Sequence, residues 1–171
     1  MLYITLLNIH SLIRWVALFA LGLSLACTIV ALLRRHGFTK FHVALRKLTV
    51  GAVHLQLLLG IALYLQSPLI RTGHANIGAS MKVRELRFFL IEHPIMMLLA
   101  GVVITLGARH SKRGGDANTR HRRWLAAIAW ATAIVLITIP WPFTPIAPAR
   151  PLWRPFNQPM ADTFRIQTEA S

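Results

Sequence analysis

The sequence predicts an all-α fold: a four-transmembrane-helix, up-down-up-down bundle over residues 1–143, followed by an extended, Pro-rich C-terminal tail over residues 144–171. Three observations predict it. First, 55% of the 171 residues are hydrophobic and the mean hydropathy is +0.54, where a soluble domain is about 45–50% apolar. Second, four stretches reach the roughly 20 residues a helix needs to span hydrocarbon, namely 15–33, 48–70, 88–108 and 124–141. Third, after Trp141 prolines stand at 142, 145, 148, 151, 155 and 159, a spacing no helix tolerates and polyproline II favours.

The boundaries of each element have local causes. Backbone groups in hydrocarbon must be satisfied internally, so the spans are helices. Helix one begins near Leu2 and stops at Gly37, which suits a C′ position. Thr39 is the expected N-cap of helix two, which ends before Pro68 because the residue preceding proline avoids the helical region. The sequence MKVRELR at 81–87 is a short interfacial helix or the first turns of helix three. Helix three runs to about Arg113 and stops at Gly114-Gly115. Asp116, Asn118 or Thr119 caps helix four, which ends at Pro140. Short cytoplasmic hairpins and a longer periplasmic loop between helices two and three favour the up-down order. In the tail, Trp153, Phe156 and Phe164 continue the aromatic series begun by Trp141 and Phe143. Trp141 and Trp153 fit an interfacial aromatic belt; the alternative is a stiff arm that lies on a partner's periplasmic face.

The formal charge of +14 does not point to nucleic acid. Arg34, Arg35, Lys40, Arg46 and Lys47 follow span one, and Arg109, Lys112, Arg113, Arg120, Arg122 and Arg123 follow span three. These are 11 of the 19 Lys and Arg residues, and the positive-inside rule makes both loops cytoplasmic. Both termini then face the other side, which is the periplasm in the case of a bacterial inner membrane. The excess charge is expected to meet anionic lipid headgroups. No signal peptide is evident. The one cysteine, Cys27, lies inside span one and reads as a packing residue.

His10, His54 and His93 lie in or at the lip of the spans. Ionisable groups at that depth are costly and point to function. With Gly37, Thr39 and Gly114 as a common cytoplasmic level and about 1.5 Å per residue, His10 stands roughly 40 Å up, His93 roughly 31 Å and His54 roughly 22 Å. The expected order is therefore His10, His93, His54. Arg14 falls near the level of Glu92 and His93. Glu92 is the only acidic residue inside a span, so Arg14–Glu92 is the expected ion pair. In that reading Arg14 clamps an anionic group, such as a haem propionate or a quinone oxygen, and Glu92 orients it. Pro94 should kink the helix just after His93.

Four uses fit such a ladder. Two imidazoles on facing helices can ligate a b-type haem. Histidine and glutamate can serve a quinone or proton site. Imidazole and methionine can hold copper, although the spread of heights argues against a compact metal centre. The fourth use is structural. His10, His54 and His93 are the candidate metal ligands, with Arg14 and Glu92 in the same cofactor site, and the axial pair is open.

The motifs HSLIRW from His10, HLQLLLG from His54 with Tyr64 and Ser67-Pro68, Met81-Lys82, Arg87-Phe88-Phe89, Glu92-His93-Pro94, Met96-Met97 and IPWPF from Ile139 together resemble small bacterial four-helix integral membrane proteins labelled cytochrome b-like. The resemblance covers most of residues 9–143 and excludes the tail. It implies non-covalent haem and electron transfer, with His10, His54 and His93 as candidate ligands. The expectation is thus a haem b-type electron-transfer protein or redox-complex subunit, exchanging electrons with quinone or a periplasmic carrier. The alternative is a non-catalytic accessory subunit of a larger respiratory or photosynthetic membrane complex, anchored by its bundle and tail.

Overall fold

The computed structural model describes residues 2–144. The proline-rich tail expected beyond Thr144 lies outside the described residues. Within them the chain is helical throughout: α1 (Leu2–Leu33), α2 (Lys40–Gln66), α3 (Pro68–Ala75), α4 (Ile77–Ser80), α5 (Arg84–Arg87), a π turn (Phe88–Glu92), α6 (His93–His110) and α7 (Ala117–Thr138). Leu2–Leu33, Lys40–Gln66 and the continuous helix Arg84–His110 are long and apolar enough to cross a membrane. α7 is the fourth wall, but Arg120, Arg122 and Arg123 occupy its first two turns.

α1 packs on α2 and α7, and α6 packs on the same two helices. α1 and α6 therefore stand diagonally across the bundle. The paired contacts run antiparallel. Trp124 on α7 meets Ser24 on α1, whereas His93 at the start of α6 meets Thr138 at the end of α7.

The helix ends differ from expectation in three places. α1 stops at Leu33 and not at Gly37. The C′ residue is Arg35, with φ 53°. The Arg35 N–H reaches the Leu32 carbonyl at 3.3 Å and the His36 N–H reaches Ala31 at 2.8 Å. These two bonds make a Schellman closure that places a non-glycine residue in the left-handed region. Helix two ends at Gln66 as expected, but Pro68 then opens α3, with the Ser67 hydroxyl accepting from the Ile70 N–H at 3.4 Å. Proline at a first helical position loses no bond the helix would have made. α6 ends at His110, where Ser111 takes the C-cap three residues before the glycines.

Two caps stand where expected. Thr39 is the N-cap of α2. The Asp116 carboxylate caps α7, accepting from the Thr119 N–H at 2.9 Å. Its hydrogen bonds with Thr119 hold that exposed carboxyl below its ordinary value.

The two ends of the bundle are built differently. In the half that contains the start of α7, the core is Leu21, Val53, Ile104, Ala108, Trp124, Ile128 and Ala131. Trp124 is 2% exposed, and its indole N–H donates to the Ser24 hydroxyl at 3.0 Å. Gly107 lies so close to Ala127 that a Cβ added at the glycine would collide with the alanine methyl. Below this core Arg46 is buried, donating to the Ser111 hydroxyl at 2.8 Å, with the Phe38 ring against it. The other half, around Tyr3, His10, Tyr64 and Ile139, encloses a cavity.

A buried indole N–H that loses its acceptor costs about 1–3 kcal/mol. Ser24→Ala should therefore lower the thermal midpoint of the detergent-solubilised protein, measured by circular dichroism. Ser24→Thr, which keeps a hydroxyl, should recover part of the loss.

Candidate functional site

The cavity has a volume of about 650 Å³, within the range typical of cofactor and ligand sites. α1 contributes His10 and Arg14, α2 contributes Gln56, Gly60 and Tyr64, and the π turn and α6 contribute Phe89, His93 and Met97. Val135 and Ile139 close the α7 side. Its wall is thus apolar, with a few polar groups from three helices.

Pro94 determines how His93 enters this space. A proline lacks the N–H that would bond to the carbonyl four residues back, here Leu90. The chain answers with a π turn over Phe88–Glu92, in which the His93 N–H bonds to the Phe88 carbonyl. The Leu90 carbonyl accepts from the Tyr64 hydroxyl at 3.2 Å. The same hydroxyl lies 3.2 Å from His74 Nε2. A phenol has one proton to give, so if it goes to Leu90 the exposed imidazole of His74 donates to the phenol.

His93 Nδ1 lies 3.1 Å from the Thr138 carbonyl. A carbonyl only accepts, so Nδ1 carries the proton and Nε2 is the basic nitrogen. Phe88 and Phe89 flank the ring, at centroid distances of 5.6 and 6.1 Å. An imidazole whose Nδ1–H is given to a backbone carbonyl is the arrangement metal-ligating histidines usually show.

His10 is held from α2. The Gln56 amide nitrogen lies 3.1 Å from the His10 carbonyl and 3.1 Å from His10 Nε2. The amide must donate to the carbonyl, and its second proton then goes to Nε2. His10 Nδ1 is left as a donor and Gln56 Oε1 as an acceptor. Both atoms are buried and have no hydrogen-bond partner among the described residues. Gly60 provides the space: a Cβ there would lie 3.4 Å from His10 Cε1.

These contacts revise the expected ladder. His10 stands opposite Gln56 and Gly60, two and six residues beyond His54, so it is roughly 3–9 Å above His54 rather than roughly 18 Å. The premise of a common cytoplasmic level fails. The Thr49 hydroxyl reaches the Ala20 carbonyl at 3.3 Å. From that contact α1 runs on 13 residues to Leu33, whereas α2 runs back only nine to Lys40. α1 thus overshoots α2 by about one turn. His54 bonds across to Thr105, 12 residues past His93, which puts His93 roughly 18 Å above His54. The order along the bundle is His93, His10, His54.

The structure therefore brings His10, Arg14 and His93 onto one cavity and leaves His54 outside its wall. His54 Nε2 lies 2.8 Å from the Thr105 hydroxyl, which gives its own proton to the Gly101 carbonyl at 2.6 Å. His54 is thus the donor in a completed chain between α2 and α6. The expected Arg14–Glu92 pair is not formed. Glu92 accepts from Arg87 Nε at 2.7 Å, with both side chains 45% exposed. The reason is angular: successive helical residues diverge by about 100°, so turning His93 inward turns Glu92 outward. Among the described residues no three His, Cys, Asp or Glu side chains gather as a metal centre would need.

Sequence reasoning missed Tyr64 as the partner of the Leu90 carbonyl. The signal was available, because Pro94 names the carbonyl that needs a donor. The Thr138 carbonyl as partner of His93 carries no side-chain signal at all.

No family model, curated protein or solved structure matches the chain.

Tyr64→Phe should lower the thermal midpoint, since a buried carbonyl left without a donor costs about 1–3 kcal/mol. In a Pro94→Ala background, where residue 94 regains an N–H, the same substitution should cost much less. Equal costs in both backgrounds would show that the phenol does not serve that carbonyl.

Proposed function

We propose that the chain is a multi-pass protein of a bacterial inner membrane that holds a b-type haem between His10 and His93 and passes electrons to or from a quinone or a periplasmic carrier. The observation that carries this reading is that these two histidines, from diagonally opposed helices, line one cavity while His54 does not. α7 completes the set of four crossing helices, its Arg120, Arg122 and Arg123 at the cytoplasmic end and Trp141 near the periplasmic one. The Trp141 indole donates to the Leu136 carbonyl at 2.8 Å. This orientation puts both ends of the chain in the periplasm.

The residue types present suit the group: His93 already has its Nδ1–H committed to a carbonyl, which leaves Nε2 for a metal. His10 would join it as a ligand by releasing Nε2 from Gln56 and by helix tilt that closes a height offset of roughly 9–15 Å. Phe89, Leu57, Met97 and Val135 offer an apolar wall for a flat macrocycle. Arg14 shares that wall and supplies positive charge for a propionate. The unsatisfied His10 Nδ1 and Gln56 Oε1 mark a hydrogen-bond deficit that a bound group, or the rearrangement accompanying its binding, would remove. Haem, when bound, supplies a one-electron carrier whose potential depends on axial ligands and burial. The chain's own part is to fix the His93 ring through Thr138 and to line the site with apolar side chains.

A quinone headgroup is the second reading. It is favoured by the same polar pair: His10 Nδ1–H can donate to a quinone oxygen, and Gln56 Oε1 can accept from a quinol hydroxyl. The accessory-subunit alternative drew on the proline-aromatic tail, whose residues 145–171 lie outside the described residues.

Absorption spectra of the purified protein, oxidised and dithionite-reduced, test the haem reading. His10→Ala and His93→Ala should each abolish or strongly shift the reduced α-band, and His54→Ala should leave it in place. Loss of the band in His54→Ala with retention in His10→Ala would reverse the assignment. Full-length protein with no Soret band after haem loading, but with quinone retention that Gln56→Leu removes, would favour the second reading.

A further inference from the structure

A second concavity, of about 510 Å³, lies on the outer face of α6 and α7 at the opposite end from the histidine cavity. Its floor is the close approach of Gly107 to Ala127. Two small residues bring the helices together and leave nothing to fill the trough between their flanking side chains. Leu106, 56% exposed, forms one wall and Trp130, 69% exposed, forms the other. Arg109, Arg113 and Arg123 form one rim. Trp130 lies seven residues along α7 from Arg123, so the trough extends roughly 10 Å from the cations into the apolar part of the helix pair.

Among the described residues no carboxylate pairs with the charge at that rim. The hairpin between α6 and α7 contains one carboxylate, Asp116, which is engaged at the α7 N-terminus. The ion pair found among the described residues, Arg87–Glu92, is at the other end of the molecule. Arg123 donates to the Arg113 carbonyl at 2.6 Å and the Gly114 carbonyl at 3.2 Å, which closes the end of α6 but leaves its charge. Arg109 and Arg113 are exposed.

We infer that this groove binds an anionic phospholipid of the cytoplasmic leaflet, with the phosphate on Arg109 and Arg113 and an acyl chain along Gly107 and Ala127 against Trp130. A cationic rim joined to an apolar trough matches both parts of such a lipid, and a basic pocket between helices on the cytoplasmic side is the recognised setting for it. A small soluble anion would use the rim and leave the trough empty. The inference rests on the membrane placement of α6 and α7 and is independent of what the histidine cavity holds.

Quenching of Trp130 by brominated lipids provides the test. The full-length protein is reconstituted into vesicles of phosphatidylcholine containing a minor fraction of brominated phosphatidylglycerol or, separately, brominated phosphatidylcholine. The Trp130 signal is the difference between the wild type and Trp130→Phe. Brominated phosphatidylglycerol should quench it preferentially. Removing each rim arginine should weaken the preference about fivefold, so the double variant Arg109→Gln, Arg113→Gln should lose most of it. Ala126→Leu, which fills the trough from an exposed position, should reduce quenching by either lipid. Equal quenching by the two lipids in the wild type, or an undiminished preference in the double variant, overturns the site while leaving the membrane reading intact. A shielded Trp130 beside quenched remaining tryptophans would mean that a second copy covers the groove, and it also overturns the site. Absence of quenching at every tryptophan overturns the membrane placement together with the site.

Discussion

The hydrogen bond from the Tyr64 hydroxyl to the Leu90 carbonyl is the contact on which the candidate site depends. Pro94 breaks the helical ladder at Leu90, and in an apolar environment the freed carbonyl has no water to turn to. Tyr64 supplies the donor from the neighbouring helix. The break is thereby tolerated, and the π turn that accompanies it sets the angular register of α6. His93 faces the cavity, and Glu92 turns outward to Arg87.

Hydrogen bonds shape the two halves of the bundle differently. Around Trp124 and Ile104 buried side chains form one core, and the indole N–H is answered by Ser24. Around His10 and His93 the bonds are made from ring to carbonyl or amide at the periphery, leaving the centre open. His10 is pulled toward α2 by Gln56, with Gly60 giving it room, and His93 is pulled toward α7 by Thr138. Two rings drawn to the walls from opposite helices leave a chamber between them. His54, by contrast, is consumed in a chain with Thr105 and the Gly101 carbonyl. That chain ties α2 to α6 through His54 Nε2, and His54 is not among the residues lining the cavity.

Much of the helical architecture was legible in the sequence, because apolar length and basic flanks are direct consequences of burying a backbone in hydrocarbon. Thr39, Asp116 and Pro68 marked real boundaries for the same reason: each changes the backbone bonds available at its position. Gly37 misled, since the Schellman bonds close on Arg35 and a left-handed arginine has no sequence signature. The candidate site was legible as a set of residues and not as an arrangement. Heights taken from helix caps assume level helix ends, and α1 overshoots α2 by a turn, which exchanged His10 and His93 in the order. The Arg14–Glu92 pairing failed because it weighed depth without direction around the helix. Spacing to His93 alone would have set Glu92 on the outer face.

Taken together, the proline break, the tyrosine that answers it and the two wall-bound histidines describe the chamber in which the proposed redox group would sit. What distinguishes this from a merely polar lock between helices is the coordination it would give a bound iron. Low-temperature electron paramagnetic resonance of the oxidised, haem-loaded protein reads that coordination directly. A low-spin ferric signal of bis-imidazole type, lost in His10→Ala and in His93→Ala and kept in His54→Ala, is the expected result. A purely high-spin signal, or a bis-imidazole signal that survives loss of either cavity histidine, would contradict it.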